Sequence, residues 1–124
     1  MIHNFLEGVY LRHNDVDYVV RESVVFNMRN TRTVEVLCHV AGLCVAVCTD
    51  HEVQKIAPSV AKRLVTGTTK VIKNNEKEEK QRIEEAVRQI LKLPSSFSFG
   101  SSDESDACCV ALAFAIQGGD LAGV

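Results

Sequence analysis

Asp103 and Asp106 lie near the carboxyl end of a 124-residue chain, within the run Ser101-Ser102-Asp103-Glu104-Ser105-Asp106-Ala107-Cys108-Cys109. Serine and aspartate oxygens cap the first backbone N–H groups of a helix, and the small and apolar residues that follow continue it. Residues three apart on one helix are neighbours, with Cβ atoms roughly 5–6 Å apart. Two carboxylates at that spacing can share a divalent cation. Acidic residues also collect at helix amino termini for a plainer reason, because the macrodipole favours negative charge there. What strengthens the metal reading is a third acid, Glu22, which falls at the far end of an apolar run early in the chain.

Those acids need a scaffold, and the chain is long enough for one domain with its own core. The hydrophobic fraction of 46% and charged fraction of 24% are those of a globular protein, not of a disordered or membrane one. The longest apolar stretch, 40–47, is interrupted by Gly42 and is too short to span a bilayer. The amino terminus lacks the basic start and apolar run of a secretory leader, so a cytoplasmic location is expected. Five cysteines, Cys38, Cys44, Cys48, Cys108 and Cys109, read as small buried hydrophobes of a reducing compartment, with no Cys-x-x-Cys pair. The net charge of −2 argues against a broadly cationic nucleic-acid binder. Residues 53–73 nevertheless hold Lys55, Lys62, Arg63, Lys70 and Lys73 and no acid, which leaves room for a local basic patch.

Along the chain, Phe5, Leu6, Val9 and Tyr10 predict a short amphipathic helix over 4–12. Residues 16–26, dense in β-branched and aromatic side chains, predict a strand. Tyr18-Val19-Val20 within it suggests burial on both faces, as in a parallel or mixed sheet under helices. Ligands of open α/β sheets gather outside the carboxyl ends of strands, which is where Glu22 falls. Thr31 or Thr33 starts a helix reaching about residue 49 that is apolar almost all round, so it is either central or covered by a second subunit. A short strand over 52–57 stops at Pro58, and a helix over 59–65 carries Lys62 and Arg63. Residues 70–80 are expected to be a solvated loop leading into a helix over 77–91, striped by Ile83, Ala86, Val87, Ile90 and Leu91. Residues 95–102 are expected to be a flexible linker and 118–124 a frayed tail. No P-loop, Gly-x-Gly-x-x-Gly or serine nucleophile elbow occurs.

In this order the parts resemble the RuvC-type Holliday junction resolvases, of the RNase H-like superfamily. Asp17-Tyr18-Val19-Val20-Arg21-Glu22 is similar to the family's central strand ending in a catalytic glutamate, and Arg29-Asn30 with the apolar helix to Ala41-Gly42 resembles the stretch after it. Residues 53–58, then Lys62, then Val65-Thr66-Gly67 resemble the family's valine, tyrosine-alanine-proline, lysine and valine-threonine-glycine segment. Glu79-Lys80 and Val87-Arg88-Gln89-Ile90-Leu91-Lys92-Leu93-Pro94 fall at the spacing of its next helix. Asp103-Glu104-Ser105-Asp106-Ala107 looks like its closing Asp-x-x-Asp-Ala motif. The likeness covers about 5–117, which makes 1–117 an α/β, RNase H-like nuclease domain.

The resemblance implies a homodimer that binds four-way DNA junctions and nicks two strands symmetrically, with two Mg²⁺ ions, or Mn²⁺ in their place, and a branch-migration helicase as an accessory partner. It implies Glu22, Asp103 and Asp106 as metal ligands, Lys62 and Lys80 beside them in catalysis, and Phe26, Arg29, Arg32, Lys62, Arg63, Lys70 and Lys80 against DNA. The chemistry is consistent: paired metals about 4 Å apart activate a water and stabilise a leaving oxygen, and Mg²⁺ takes hard oxygen ligands. Lys62 and Lys80 read equally as solvated surface lysines. Phe26 either stacks on an unpaired base or packs in a core. His39 and His51 read as structural or surface residues. The family's first strand, with its Gly-x-Asp-Pro-Gly acid, and the hairpin after it have no counterpart here, so the domain is expected to lack three strands. Asp17 does not replace that acid, being roughly 16 Å from Glu22 at strand rise. Three functions follow as expectations: a junction endonuclease, a relative that dimerises or binds junctions without cutting, and a small helical interaction protein.

Overall fold

The β-branched pair Val19-Val20 opens a strand, β1 (Val19–Glu22), of which Glu22 is the last residue. β1 runs parallel to β2 (Val53–Ile56), with Val19 opposite Val53, Val20 opposite Gln54, Arg21 opposite Lys55 and Glu22 opposite Ile56. Ser23 N–H donates to the Ile56 carbonyl at 2.8 Å and carries the ladder one bond further. A parallel pair needs a long crossover, and α2 (Thr31–Val47) lies in it. With α1 (Ile2–Arg12) these elements form one compact unit, Met1–Ala57. A second unit, Pro58–Val124, is built from α3 (Pro58–Thr66), α4 (Glu76–Leu91) and α5 (Ser102–Gln117). This computed structural model describes residues 2–13, 15–23, 31–68 and 75–118. The α/β class is thus observed, as five helices and a two-stranded parallel sheet among the described residues. The expectations for Phe26, Arg29, Lys70 and residues 119–124 lie outside them.

In the first unit a side-chain clamp holds the entrances to both strands. The His51 Nε2 atom lies 2.7 Å from the Val16 carbonyl oxygen. A carbonyl only accepts, so Nε2 carries the proton and Nδ1 is the bare nitrogen. The Tyr10 hydroxyl therefore donates to Nδ1, at 2.6 Å, and its oxygen accepts the Asp50 N–H at 3.0 Å. The rings meet edge to face, with centroids 5.6 Å apart. His51 is a structural residue, one of the two roles its sequence context allowed.

Two expectations for this unit change. Tyr18 is 56% exposed and Val19 and Val20 are only half-buried, because a two-stranded sheet has little area under cover. α2 is not central either: Val36, Leu37 and Val45 are exposed, and along this helix only Val47 is buried among its described side chains. No helix among the described residues is long and apolar enough to cross a membrane.

In the second unit Pro58 is the first helical residue of α3, where its missing N–H is no loss. Ala61 and Val65 form the buried stripe of that short helix. α4 is capped by Asn75, whose side chain accepts the Glu78 N–H at 3.1 Å, and its stripe is Glu79, Ile83 and Val87. The stretch read as a solvated loop is therefore helical from Glu76, and Glu79 is buried, held by Arg82 Nη2 at 2.7 Å. α5 is the packing partner of both other helices, with Ser105, Cys109, Val110, Leu112 and Ala113 buried. Its Cys109 thiol donates to the Ala61 carbonyl at 3.8 Å, a contact that the small Ala61 side chain permits.

The linker expected to be flexible is tied down on α4. Arg88 Nη2 donates to the Phe97 carbonyl at 2.6 Å, its guanidinium carbon lies 5.8 Å from the Phe99 ring centroid, and Phe97 meets Phe99 edge to face. α4 itself ends on Lys92 in the left-handed conformation, φ 53°, with Leu93 N–H returning to the Arg88 carbonyl.

Two outcomes follow. Tyr10→Phe leaves the Asp50 N–H and His51 Nδ1 without partners and lowers the stability of the first unit by about 1–3 kcal/mol; faster amide exchange at Asp50 is the readout, and unchanged exchange contradicts the clamp. Lys92→Gly relieves a left-handed backbone and raises the thermal midpoint, by about 0.5–1 kcal/mol of stability.

Candidate functional site

Glu22 is exposed at the carboxyl end of β1, with its backbone carbonyl accepting Arg21 Nη1 at 2.8 Å. Strand alternation directs its side chain to the face opposite Arg21. Arg32, exposed in the first turn of α2, borders a small groove with Thr33, Val36 and Leu37. These are the expected site residues that the first unit positions.

The other acids belong to the start of α5. Ser101 holds the N-cap position in extended backbone, but its side chain caps nothing. Glu104 instead ties down the residue before the cap, its Oε2 accepting the Gly100 N–H at 2.6 Å, while the Ser105 hydroxyl donates to the Ser102 carbonyl at 2.9 Å. Asp103 is exposed and Asp106 half-buried on successive turns, and neither makes an ion pair among the described residues. So the three acids of the motif divide: one is structural, and two keep their oxygens available.

Of the expected lysines, Lys80 is exposed on α4 and Lys62 half-buried on α3, with Arg63 exposed beside it. Lys80 lines a groove of about 450 Å³ with Lys77, Gln81, Glu84, Phe99, Ser101 and Ser102. The second unit thus brings Lys80 and the opening residues of the Asp103 helix to one groove. Lys77 and Phe99 were not among the expected site residues. Lys77 was legible as a cation three positions before Lys80 on one helix face; Phe99 was hidden by the polar, glycine-containing composition around it.

Glu22, Asp103 and Asp106 are the right donor type for Mg²⁺. Glu22 belongs to the first unit and Asp103 and Asp106 to the second, so the second unit by itself offers two of these three donors.

The cysteines need one correction. Only Cys109 is buried; Cys44, Cys48 and Cys108 are half-buried and Cys38 is exposed, because α2 lacks cover. Burial pushes the Cys108 thiol above its ordinary range, with the Glu104 carboxylate adding to it, and burial beside Cys44 raises Cys48. A raised thiol has less thiolate at a given pH and reacts more slowly. Iodoacetamide at pH 8 is therefore expected to modify Cys38 before Cys108 and Cys109, as read by peptide mass spectrometry; early Cys109 labelling contradicts this packing.

No protein-family model matches the chain, and no curated protein matches it.

Proposed function

We propose that this chain is a RuvC-type module, RNase H-like in fold, that recognises four-way junction DNA as a homodimer. The observation that carries the reading is the parallel β1-α2-β2 unit whose first strand ends on Glu22, followed in order by the Lys62-Arg63 helix and a helix opened by Asp103 and Asp106. That is the sequence of parts the resemblance requires. The family's first three strands have no counterpart in this sequence.

Exposed cations supply the electrostatic part. Arg63 and Lys80 are on the surface and Lys62 partly so, and DNA phosphates release counterions when such groups meet them. Dimerisation is supported by the exposed apolar residues of α2, Val36, Leu37 and Val45.

Cleavage is the second reading, a structure-selective endodeoxyribonuclease of recombination and repair. Donor chemistry favours it: Glu22, Asp103 and Asp106 are carboxylates at the family's positions, and Asp103 and Asp106 carry no competing ion pair among the described residues. When bound, Mg²⁺ or Mn²⁺ would supply the Lewis acidity for phosphodiester hydrolysis.

Lys62→Ala is expected to weaken binding to a synthetic four-way junction and to reduce the slope of log affinity against log salt by about one contact, or roughly 0.9. An unchanged slope removes Lys62 from the phosphate contacts. Incubating the junction with Mg²⁺ separates the readings: symmetric nicks lost in Asp106→Asn identify a nuclease, and binding without nicks at every metal concentration identifies the recognition module.

A further inference from the structure

Arg21 and Lys55 are register partners on adjacent parallel strands. Their side chains leave the sheet on the same face, so two positive charges stand side by side. Like charges opposite one another across a strand pair destabilise it. They line a groove of about 610 Å³ with Ser23 and with Cys38, Ala41, Gly42 and Val45 of α2, and none of these described lining residues is an acid. Glu22 is directed to the other face, and residues 24–30 contain no acid.

The guanidinium of Arg21 is held by one hydrogen bond, Nη1 to the Glu22 carbonyl at 2.8 Å. Its Nε–H is buried and has no acceptor among the described residues. A buried charged donor without an acceptor is costly, and native structures satisfy such groups. Facing it, the small side chains of α2 leave space, and even a Cβ added at Gly42 would meet nothing within 4 Å.

We propose that this groove binds a phosphate group between Arg21, Lys55 and Ser23. The exposed end of the Arg21 guanidinium donates to one phosphate oxygen, the Lys55 ammonium meets a second, and the Ser23 hydroxyl can donate to a third. A monocarboxylate would satisfy the arginine but leave the neighbouring lysine and hydroxyl without a share of the charge, whereas phosphate has the oxygens and the charge for all of them. The site uses none of the acids discussed above and does not depend on the junction reading. Phosphate is the chemistry common to a free nucleotide and a nucleic-acid backbone.

The test is titration of the full chain with inorganic phosphate against sodium chloride at matched ionic strength, following the NMR signals of Arg21 Nε–H and the Ser23 amide. Saturable shifts with phosphate and not with chloride are expected, weakened about tenfold or more in Arg21→Gln and in Lys55→Gln. Lys55 is exposed, so its variant reports even where the Arg21 variant does not fold. Adenosine monophosphate and a short DNA duplex serve as further probes. Tighter binding of the nucleotide assigns the site to free phosphate esters, and tighter binding of the duplex, lost in Lys55→Gln, assigns it to the backbone; both support the site. Absence of saturable shifts with all three probes, or equal binding by wild type and Lys55→Gln, overturns it.

Discussion

The parallel pairing of β1 with β2 is the constraint on which the first unit depends. The strands are four residues each, so few ladder bonds hold them, and side chains alternate faces with a period of two. A slip of one residue would carry Arg21 to the other face and bring Glu22 into the groove in its place. The Tyr10–His51–Val16 clamp opposes that slip. It joins the segment before β1, the turn before β2 and the end of α1, so both strand entrances are held by side chains as well as by the ladder. Register, and with it the chemistry of each sheet face, follows from this.

The second unit is organised differently, around α5. Its middle is core, with Cys109, Leu112 and Ala113 buried, and Ser105 joins them because its hydroxyl is satisfied by its own helix. Its amino-terminal turn is wet and acidic. There the helix keeps one carboxylate for itself, Glu104 on Gly100, and leaves Asp103 and Asp106 to solvent or a partner.

Much of this was legible in the amino-acid pattern. The stripe through Ile83 and Val87 gave most of α4, the β-branched run gave β1, and consecutive apolar residues pointed to a parallel sheet. What the pattern did not show concerns neighbours, not propensity. Periodicity reveals which side of a helix is apolar but not what lies over it, hence the exposed α2. Charge suggests solvent, yet Glu79 is buried because Arg82 sits three residues on. A Ser/Phe/Gly stretch suggests mobility, yet Arg88 reaches across to order Phe97 and Phe99. The clash of Arg21 with Lys55 was invisible until register was known, since the two are far apart in sequence.

The junction reading turns on DNA shape, because four converging arms present phosphates from several directions to a dimer, and a simple duplex does not. Its most direct measurement is fluorescence anisotropy of a labelled four-way junction against a linear duplex of the same sequence and length, at one fixed ionic strength. The account predicts tighter binding to the junction by on the order of tenfold or more. Equal affinity for the two, or binding to neither, would contradict it.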